Sequence, residues 1–302
     1  MAHKPSQRDL SHSLSSLALG LLLLGFGLAP GLPGQVQLQD TICFGDSLTH
    51  NDLLGLVYGN PQDMYGDDPM EAAFNKGASA GDELHRYAVG GSGSGNLEDQ
   101  VNLYLLDRLF GSVDQGTLFC IAVGANDILN NDPLLGANPP GVDPVADALI
   151  DNLVDNIQDN LQNLWLSSSS AQFVIWTIPD VTITPDLWGK TPQQKKNIRA
   201  HVQRANQSIL ALQSLPGVAI VDTYWLLRRL GLHPQSLYGH SLVGPPLFTG
   251  YDHIFADELH FTAVTNAIVA NRIITKMNTA YGDSIPSYSK NELAALAHVP
   301  VN

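Results

Sequence analysis

Short apolar runs alternate with longer amphipathic segments along most of the chain. The predicted strands are residues 40–45, 84–89, 117–123, 172–178 and 217–222. A segment with helical periodicity follows each of these runs. Strands and helices that alternate in this way are typical of a parallel sheet covered by helices on both faces, so we predict an α/β fold.

The clearest predicted helix begins at Asp143-Pro144, where a capping residue precedes proline at the first helical position. The apolar positions that follow form one helical stripe of Ile150, Leu153, Val154, Ile157, Leu161 and Leu164. A last helix is predicted from a Thr262 cap to about Tyr281. Residues 58–83 and 232–256 lack regular periodicity, and long irregular segments in a compact domain are usually functional. We therefore expect them to form walls of a site.

The N-terminal segment has a different pattern. Lys4 and Arg8 precede an apolar stretch at residues 17–28, which is followed by small residues. This order is typical of a secretory signal, and about twelve apolar residues are too few to span a bilayer. We predict a signal over residues 1–34 that is cleaved somewhere between residues 29 and 37, and hence a secreted or periplasmic protein. An uncleaved anchor is the alternative.

Beyond the signal we predict one domain at residues 38–282 and a weakly patterned tail at 283–302. The chain carries a formal net charge of -14 at pH 7, which argues against nucleic acid as a partner and against docking on anionic membranes. We expect a monomer with no stable membrane anchor. Cys43 and Cys120 lie inside predicted strands without metal-binding spacing. Two buried thiols are the simpler interpretation, and a disulfide between neighbouring strands stays open.

Ser47 follows the first predicted strand, which stops at Gly45. The carboxyl edge of a parallel sheet is where open α/β folds bind ligands, so a serine released there is a candidate nucleophile. A predicted helix through Leu53, Leu54 and Val57 would place Ser47 near a helix N-terminus, which favours negative charge. A simple strand-to-helix turn with a serine cap is the alternative.

Three further motifs follow other elements of the chain. Glycines at 90–95 follow the second strand and could expose backbone N–H groups to a ligand. Asn126 follows the third strand, and its amide could stabilise an oxyanion. Asp257-Glu-Leu-His260 lies just before the last helix, with a spacing that lets the carboxylate reach one imidazole nitrogen. Together these residue types could perform acyl transfer by serine.

The four motifs resemble, in order and position, those of the GDSL family, also called SGNH hydrolases. The resemblance covers about residues 40–281. Residues 219–227, with the later Tyr238-Gly239, also look like a secreted branch that includes thermolabile haemolysins and lipase-like acyltransferases. The family resemblance implies a three-layer α/β/α fold, flavodoxin-like, with a five-stranded parallel sheet. It also implies hydrolysis of carboxylic esters without a metal or an organic cofactor.

The resemblance assigns a role to each matching residue. Ser47 is implied as the nucleophile, His260 as the general base and Asp257 as the residue that orients His260. The implied oxyanion donors are the backbone N–H groups of Ser47 and Gly91 and the side chain of Asn126. The chain departs from the family pattern in three places, which are Arg86, residues 49–51 and Phe261. None of these removes a catalytic atom.

The sequence therefore predicts an exported serine esterase or lipase that acts through an acyl-enzyme on Ser47. Its expected partner is an ester substrate, either a small molecule or borne on a polymer. An acyltransferase or phospholipase of the same family is an alternative, as is an inactive carbohydrate- or lipid-binding module. With Asp257 serving His260, Asp46 is expected to have a structural role.

Overall fold

The computed structural model describes residues 35–168 and 170–301, and the predicted signal at 1–34 lies outside them. The predicted α/β fold is confirmed: five parallel strands form one sheet in the order β2-β1-β3-β4-β5. The strands are β1 (Asp40–Gly45), β2 (Glu83–Arg86), β3 (Leu118–Ala122), β4 (Gln172–Trp176) and β5 (Val218–Val221). A separate antiparallel pair is formed by β6 (Ser236–Leu237) and β7 (His240–Ser241).

β1 has the predicted bounds, whereas the other strands are shorter than predicted. β2 ends at Arg86 instead of continuing to residue 89. The reason is visible in its hydrogen bonds, because the N–H groups of Tyr87 and Ala88 both donate to the Cys43 carbonyl and the ladder stops there. This early exit brings the glycines after β2 toward the end of β1.

The helices cover both faces of the sheet. They are α1 (Leu54–Tyr58), α2 (Gln62–Tyr65), α3 (Pro69–Gly77), α4 (Leu97–Leu109), α5 (Ala125–Asn130), α6 (Asp132–Ala137), α7 (Pro144–Ser167), α8 (Pro192–Ala211), α9 (Thr223–Leu232), α10 (Ala263–Tyr281) and α11 (Lys290–Leu296). The long helix predicted from Asp143 is α7, and the Asp143 carboxylate caps it by accepting from the Val145 N–H. α10 begins after the predicted Thr262 cap and ends at Tyr281.

Alternate strand residues point into two separate cores. On one face, Cys43, Cys120 and Val174 belong to a buried cluster with side chains of α3 and α10. On the other face, Phe44 and Phe119 pack against Tyr104 of α4 at ring-centroid distances of 5.9 and 5.5 Å. Burial on both faces explains why the strands appear in the sequence as continuous apolar runs.

Two segments are more regular than their sequences predicted. The prediction of an irregular segment at 58–83 was wrong, since α2 and α3 lie within it. α2 has only four residues, too few for a periodic pattern, but α3 has a recognisable start because Asp68 caps it before Pro69. After Gly282, α11 buries Leu293 and Ala294 in the cluster that contains α10. Among the described residues, no helix combines the length and apolar character needed to cross a membrane.

Candidate active site

The turn after β1 places Ser47 at the carboxyl edge of the sheet. The Thr49 N–H donates to the Asp46 carbonyl at 3.1 Å, which closes a tight turn around Ser47. The helix predicted through Leu53, Leu54 and Val57 is α1, which begins at Leu54, beyond the turn that holds Ser47. Ser47 is therefore presented by a turn and does not itself begin a helix.

Gly45 makes this turn possible. Its φ of 135° lies in a region that side chains rarely adopt, and a Cβ here would lie 1.9 Å from the Ala122 carbonyl oxygen of β3. The buried Gln100 of α4 then binds Gly45 on both sides: its Oε1 accepts from the Gly45 N–H and its Nε2 donates to the Gly45 carbonyl, each at 2.8 Å. The backbone just before Ser47 is thus held firmly in place.

Ser47, His260 and Asp257 form one chain of hydrogen bonds. Ser47 Oγ lies 2.8 Å from His260 Nε2, and His260 Nδ1 lies 3.0 Å from Asp257 Oδ2. With its proton on Nδ1, facing the carboxylate, the imidazole leaves Nε2 free to accept the Ser47 proton. His260 and Asp257 are both buried, so the network is largely shielded from water.

Asp257 is buried but well supplied with donors. Its Oδ1 accepts from the backbone N–H groups of Leu259 and His260, at 2.7 and 2.6 Å. Burial is the largest influence and opposes the charge, but the bonds from His260 and these backbone groups outweigh it and lower the pKa of Asp257 below its usual value. Asp257 is therefore held as an anion, the form that orients an imidazole and stabilises its positive charge.

Residues of α2 and the loop before it complete the surroundings of Asp257, and the sequence reasoning missed them. The Tyr65 hydroxyl donates to Asp257 Oδ2 at 2.9 Å, and Asn60 Nδ2 donates to the Tyr65 oxygen at 3.2 Å. Tyr65 precedes Asp257 by 192 positions, and no local motif connects the two. Gln100 was missed for the same reason, since it lies 55 positions from Gly45.

The two other predicted oxyanion residues also lie around this edge. The Ser92 N–H donates to the Val89 carbonyl at 3.1 Å, and Gly91, with φ 82°, occupies the turn position that requires positive φ. A Cβ on Gly90 would lie 3.9 Å from Ser47 Cβ, so the turn reaches the serine. Asn126 Nδ2 donates one hydrogen bond to the Ser92 carbonyl at 3.0 Å. An amide nitrogen carries two protons, so one remains available to a ligand.

Comparison with known families agrees with this geometry. The profile of the GDSL-like lipase/acylhydrolase family matches residues 42–273, which is most of the chain. The chain belongs to this family. It is thus a hydrolase of the lipase and acylhydrolase type, and Ser47, Asn126, Asp257 and His260 all lie within the matched region. A search of curated proteins gives no match.

Two solved structures resemble this chain. The hydrolase is similar to the lipase Lip_vut3 from a goat rumen metagenome, with 12% identity, a TM-score of 0.54 and coverage of 78% of this chain and 96% of that one. It is also similar to a catalytic mutant of the acetylxylan esterase Axe2 from Geobacillus stearothermophilus, with 12% identity, a TM-score of 0.47 and coverage of 83% and 98%. Because the identity is so low, the similarity to Lip_vut3 is evidence for the fold and for nothing else.

A small pocket, with a cavity volume of about 30 Å³, opens beside the Ser47–His260 pair of this hydrolase. Its walls are mainly apolar and come from five parts of the chain, namely Leu48, Ala125, Leu129, Val181, Ile183, Leu227, Phe255, Leu259 and Phe261. Asn126 also lines it. An apolar cavity with a few convergent polar groups is the usual form of a small-molecule site.

Asp46 is one of the polar residues that line this pocket. It is 1% exposed, and only one of its oxygens is satisfied: Oδ1 accepts from the Leu48 N–H at 2.9 Å, while Oδ2 has no hydrogen-bond partner among the described residues. Burial raises the pKa of Asp46 to about 7, against smaller opposing effects of the Leu48 N–H and His260. The carboxyl group next to Ser47 is thus only about half ionised at neutral pH, unlike Asp257.

α1 lies on the other side of His260. The Tyr58 ring packs against the His260 imidazole with 4.9 Å between centroids. The residues beside it are apolar but exposed, with Leu53, Leu56 and Val57 at 65, 83 and 68%. A run of exposed apolar side chains is unusual on a monomer and commonly marks a contact surface. This surface adjoins the His260 imidazole.

Two of the three departures from the family pattern, Arg86 and Phe261, have clear places in the structure. Arg86 Nε contacts the Asp68 carboxylate at 3.3 Å, so it links β2 to the cap of α3 and lies outside the pocket. Phe261 packs against Phe255 at a pocket wall, with 5.6 Å between ring centroids.

Cys43 and Cys120 are neighbours on the paired strands β1 and β3, and both are buried, free thiols.

Proposed function

We propose that this protein is an exported serine hydrolase that cleaves carboxylic esters through an acyl-enzyme on Ser47. The observation that carries the proposal is the continuous hydrogen-bonded chain from Ser47 Oγ through His260 to a buried, ionised Asp257. Such a chain activates a serine hydroxyl, which is a weak nucleophile when unassisted. The apolar run at residues 17–28 supports export.

In the proposed reaction, Ser47 Oγ attacks the ester carbonyl while His260 Nε2 takes the hydroxyl proton. The tetrahedral intermediate collapses, and the bond to the alcohol oxygen breaks as His260 returns the proton to that oxygen. Water then attacks the acyl group on Ser47 with His260 again as base. The acid is released and the Ser47 hydroxyl is restored. Asp257 stabilises the imidazolium in both steps without itself taking a proton.

The negative charge that develops on the carbonyl oxygen needs donors. We assign this role to the second Nδ2 proton of Asn126 and to the backbone N–H groups of Ser47 and Gly91. The turn geometry of Gly91 and the bond that fixes the Asn126 amide to Ser92 support the assignment, because both groups are oriented before a substrate binds. Donors oriented in advance favour the transition state over the ground state.

The pocket and α1 indicate the class of ester. The apolar pocket beside Ser47 suits a short, uncharged acyl group, and large side chains such as Ile183 and Phe255 are among its walls. On the other side of His260, the exposed residues of α1 suit an apolar alcohol portion. Burial raises the pKa of Tyr58, and so do the nearby carboxylates of Asp257, Asp186 and Glu258. The surroundings are therefore acidic and disfavour anionic esters.

The test is a panel of p-nitrophenyl esters from acetate through butyrate and octanoate to palmitate, with and without an added alcohol. We expect kcat/KM to be highest for the short esters and to fall at palmitate, because the pocket is small. Ser47→Ala should abolish turnover of every ester and labelling by a fluorophosphonate, since both require the serine oxygen.

Ser236→Ala is the matched control, because it removes an exposed hydroxyl outside the pocket and should leave both readouts unchanged. Labelling that persists in Ser47→Ala would reject the nucleophile. A product that carries the added alcohol in place of water would identify an acyltransferase. A folded protein that neither turns over esters nor reacts with the probe would favour the binding module.

A further inference from the structure

We propose that Tyr65 is a positioning residue for the reaction and acts through Asp257. This inference rests on the proposed function, since it assigns Tyr65 a part in the activation of Ser47. It concerns a residue of α2 that is not among those lining the pocket.

The contact between Tyr65 and Asp257 is direct and buried. Tyr65 is completely buried, and its hydroxyl lies 2.9 Å from Asp257 Oδ2. The same oxygen lies 3.0 Å from His260 Nδ1. Backbone N–H groups bind only Oδ1, so within the described structure Tyr65 supplies the second donor to the oxygen that faces the imidazole.

The surroundings of Tyr65 determine the direction in which its proton points. Asn60 Nδ2 donates to the Tyr65 oxygen at 3.2 Å and to the Ala256 carbonyl at 3.0 Å. An amide nitrogen cannot accept, so the phenol receives from Asn60 and directs its own proton to Asp257. Burial and the neighbouring carboxylate raise the pKa of Tyr65, which keeps the hydroxyl protonated.

The backbone of Tyr65 is held as well. Asn266 Nδ2 of α10 donates to the Tyr65 carbonyl at 2.9 Å, and the ring lies in a small apolar cluster with Leu54, Met64 and Ala256. The hydroxyl thus occupies a fixed point from which it can limit rotation of the carboxylate. If the hydroxyl is lost, Asp257 Oδ2 keeps only His260 as a partner in a buried place, and buried acceptors that lose a donor are costly.

The test compares Tyr65→Phe with the unmodified enzyme by the rate of fluorophosphonate labelling of Ser47 and by kcat and KM for p-nitrophenyl acetate. Phenylalanine keeps the ring and its packing. We expect the labelling rate and kcat to fall on the order of tenfold with little change in KM, because a hydrogen bond to a charged group is lost outside the pocket. In an Asp257→Ala background, the same substitution should change labelling by less than about twofold, since residues that act as one unit are not additive.

Tyr281→Phe is the matched control, since this buried tyrosine donates to the Phe173 carbonyl at 2.8 Å, away from the pocket. It should leave labelling unchanged. An unchanged rate in folded Tyr65→Phe would overturn the inference, as would a tenfold loss that persists in the Asp257→Ala background. A different result would contradict the proposed function itself, namely that the fluorophosphonate does not label Ser47 in the unmodified enzyme.

Discussion

Asp257 and Asp46 lie on either side of the Ser47–His260 pair, and both are almost completely buried, at 4 and 1% exposure. Their acidities nevertheless shift in opposite directions: the pKa of Asp257 is lowered, whereas that of Asp46 is raised to about 7. Burial is the largest influence on the pKa of both carboxyl groups, and in both it acts to raise the pKa. The difference therefore arises from what each carboxyl group contacts.

Donors account for the contrast. Asp257 accepts from two backbone N–H groups, the His260 ring and the Tyr65 hydroxyl, whereas Asp46 accepts from the Leu48 N–H alone among the described residues. At Asp257 the hydrogen bonds and the charge of His260 outweigh desolvation, whereas at Asp46 the single backbone bond and His260 do not. Two aspartates that look alike in the sequence thus differ in charge at neutral pH, and only one suits an imidazolium.

Among the variants that test this contrast, Asp257→Asn should cause the largest loss of activity. The amide cannot stabilise a positive imidazole and favours the wrong tautomer of His260. We expect kcat for p-nitrophenyl acetate to fall on the order of 10³- to 10⁴-fold, with the protein still folded. Steady-state kinetics at pH 8, with circular dichroism as a check on folding, measure this effect.

Asp46→Asn is the matched control, because it makes the same chemical change in the other buried carboxyl group. Its kcat should stay within about fivefold of the unmodified enzyme. Equal losses in the two variants would show that the contrast between the carboxyl groups has no functional meaning.

A smaller effect is expected in the stability of Asp46→Asn across pH. The folded state raises the pKa of Asp46 from 3.8 to about 7. Between these values the folded protein holds a proton that the unfolded chain has released, so this group makes stability fall as pH rises. The loss is complete above about pH 7 and amounts to at most about 4 kcal/mol. Asparagine has no proton to lose, so the variant should gain Tm relative to the unmodified protein from pH 4 to pH 8.

Thermal unfolding of both proteins at intervals of pH provides the measurement. A constant offset between the two Tm curves reflects the amide itself, and only the change of the offset with pH reports the carboxyl. Asp159→Asn, on an exposed face of α7, is the control for the loss of one charge. Parallel curves for Asp46→Asn would mean that Asp46 ionises normally in the folded protein.

The same contrast shows what could be predicted from the sequence. Ser47 and Asn126 were placed correctly at the carboxyl edge because parallel strand ends meet there, and the three-residue spacing brought Asp257 to His260. Their chemical roles remain predictions. The Tyr65 hydroxyl as a further donor to Asp257 could not be predicted, because Tyr65 belongs to a four-residue helix far away in the chain. Long-range hydrogen bonds of this kind follow from packing and leave no local pattern.

The smallest expected effect is kinetic and again concerns Asp46→Asn. Asp46 interacts with His260 and, less strongly, with Asp127. Positive charge develops on His260 in the transition state, so an ionised Asp46 lowers the barrier slightly while a protonated one does not. At pH 6 the unmodified enzyme and the variant should have nearly equal kcat/KM, and at pH 8 the unmodified enzyme should be about two- to fivefold faster. If the ratio of the two kcat/KM values stays constant between pH 6 and pH 8, the charge of Asp46 does not affect the reaction. Asp257 would then be the carboxylate that stabilises the His260 imidazolium.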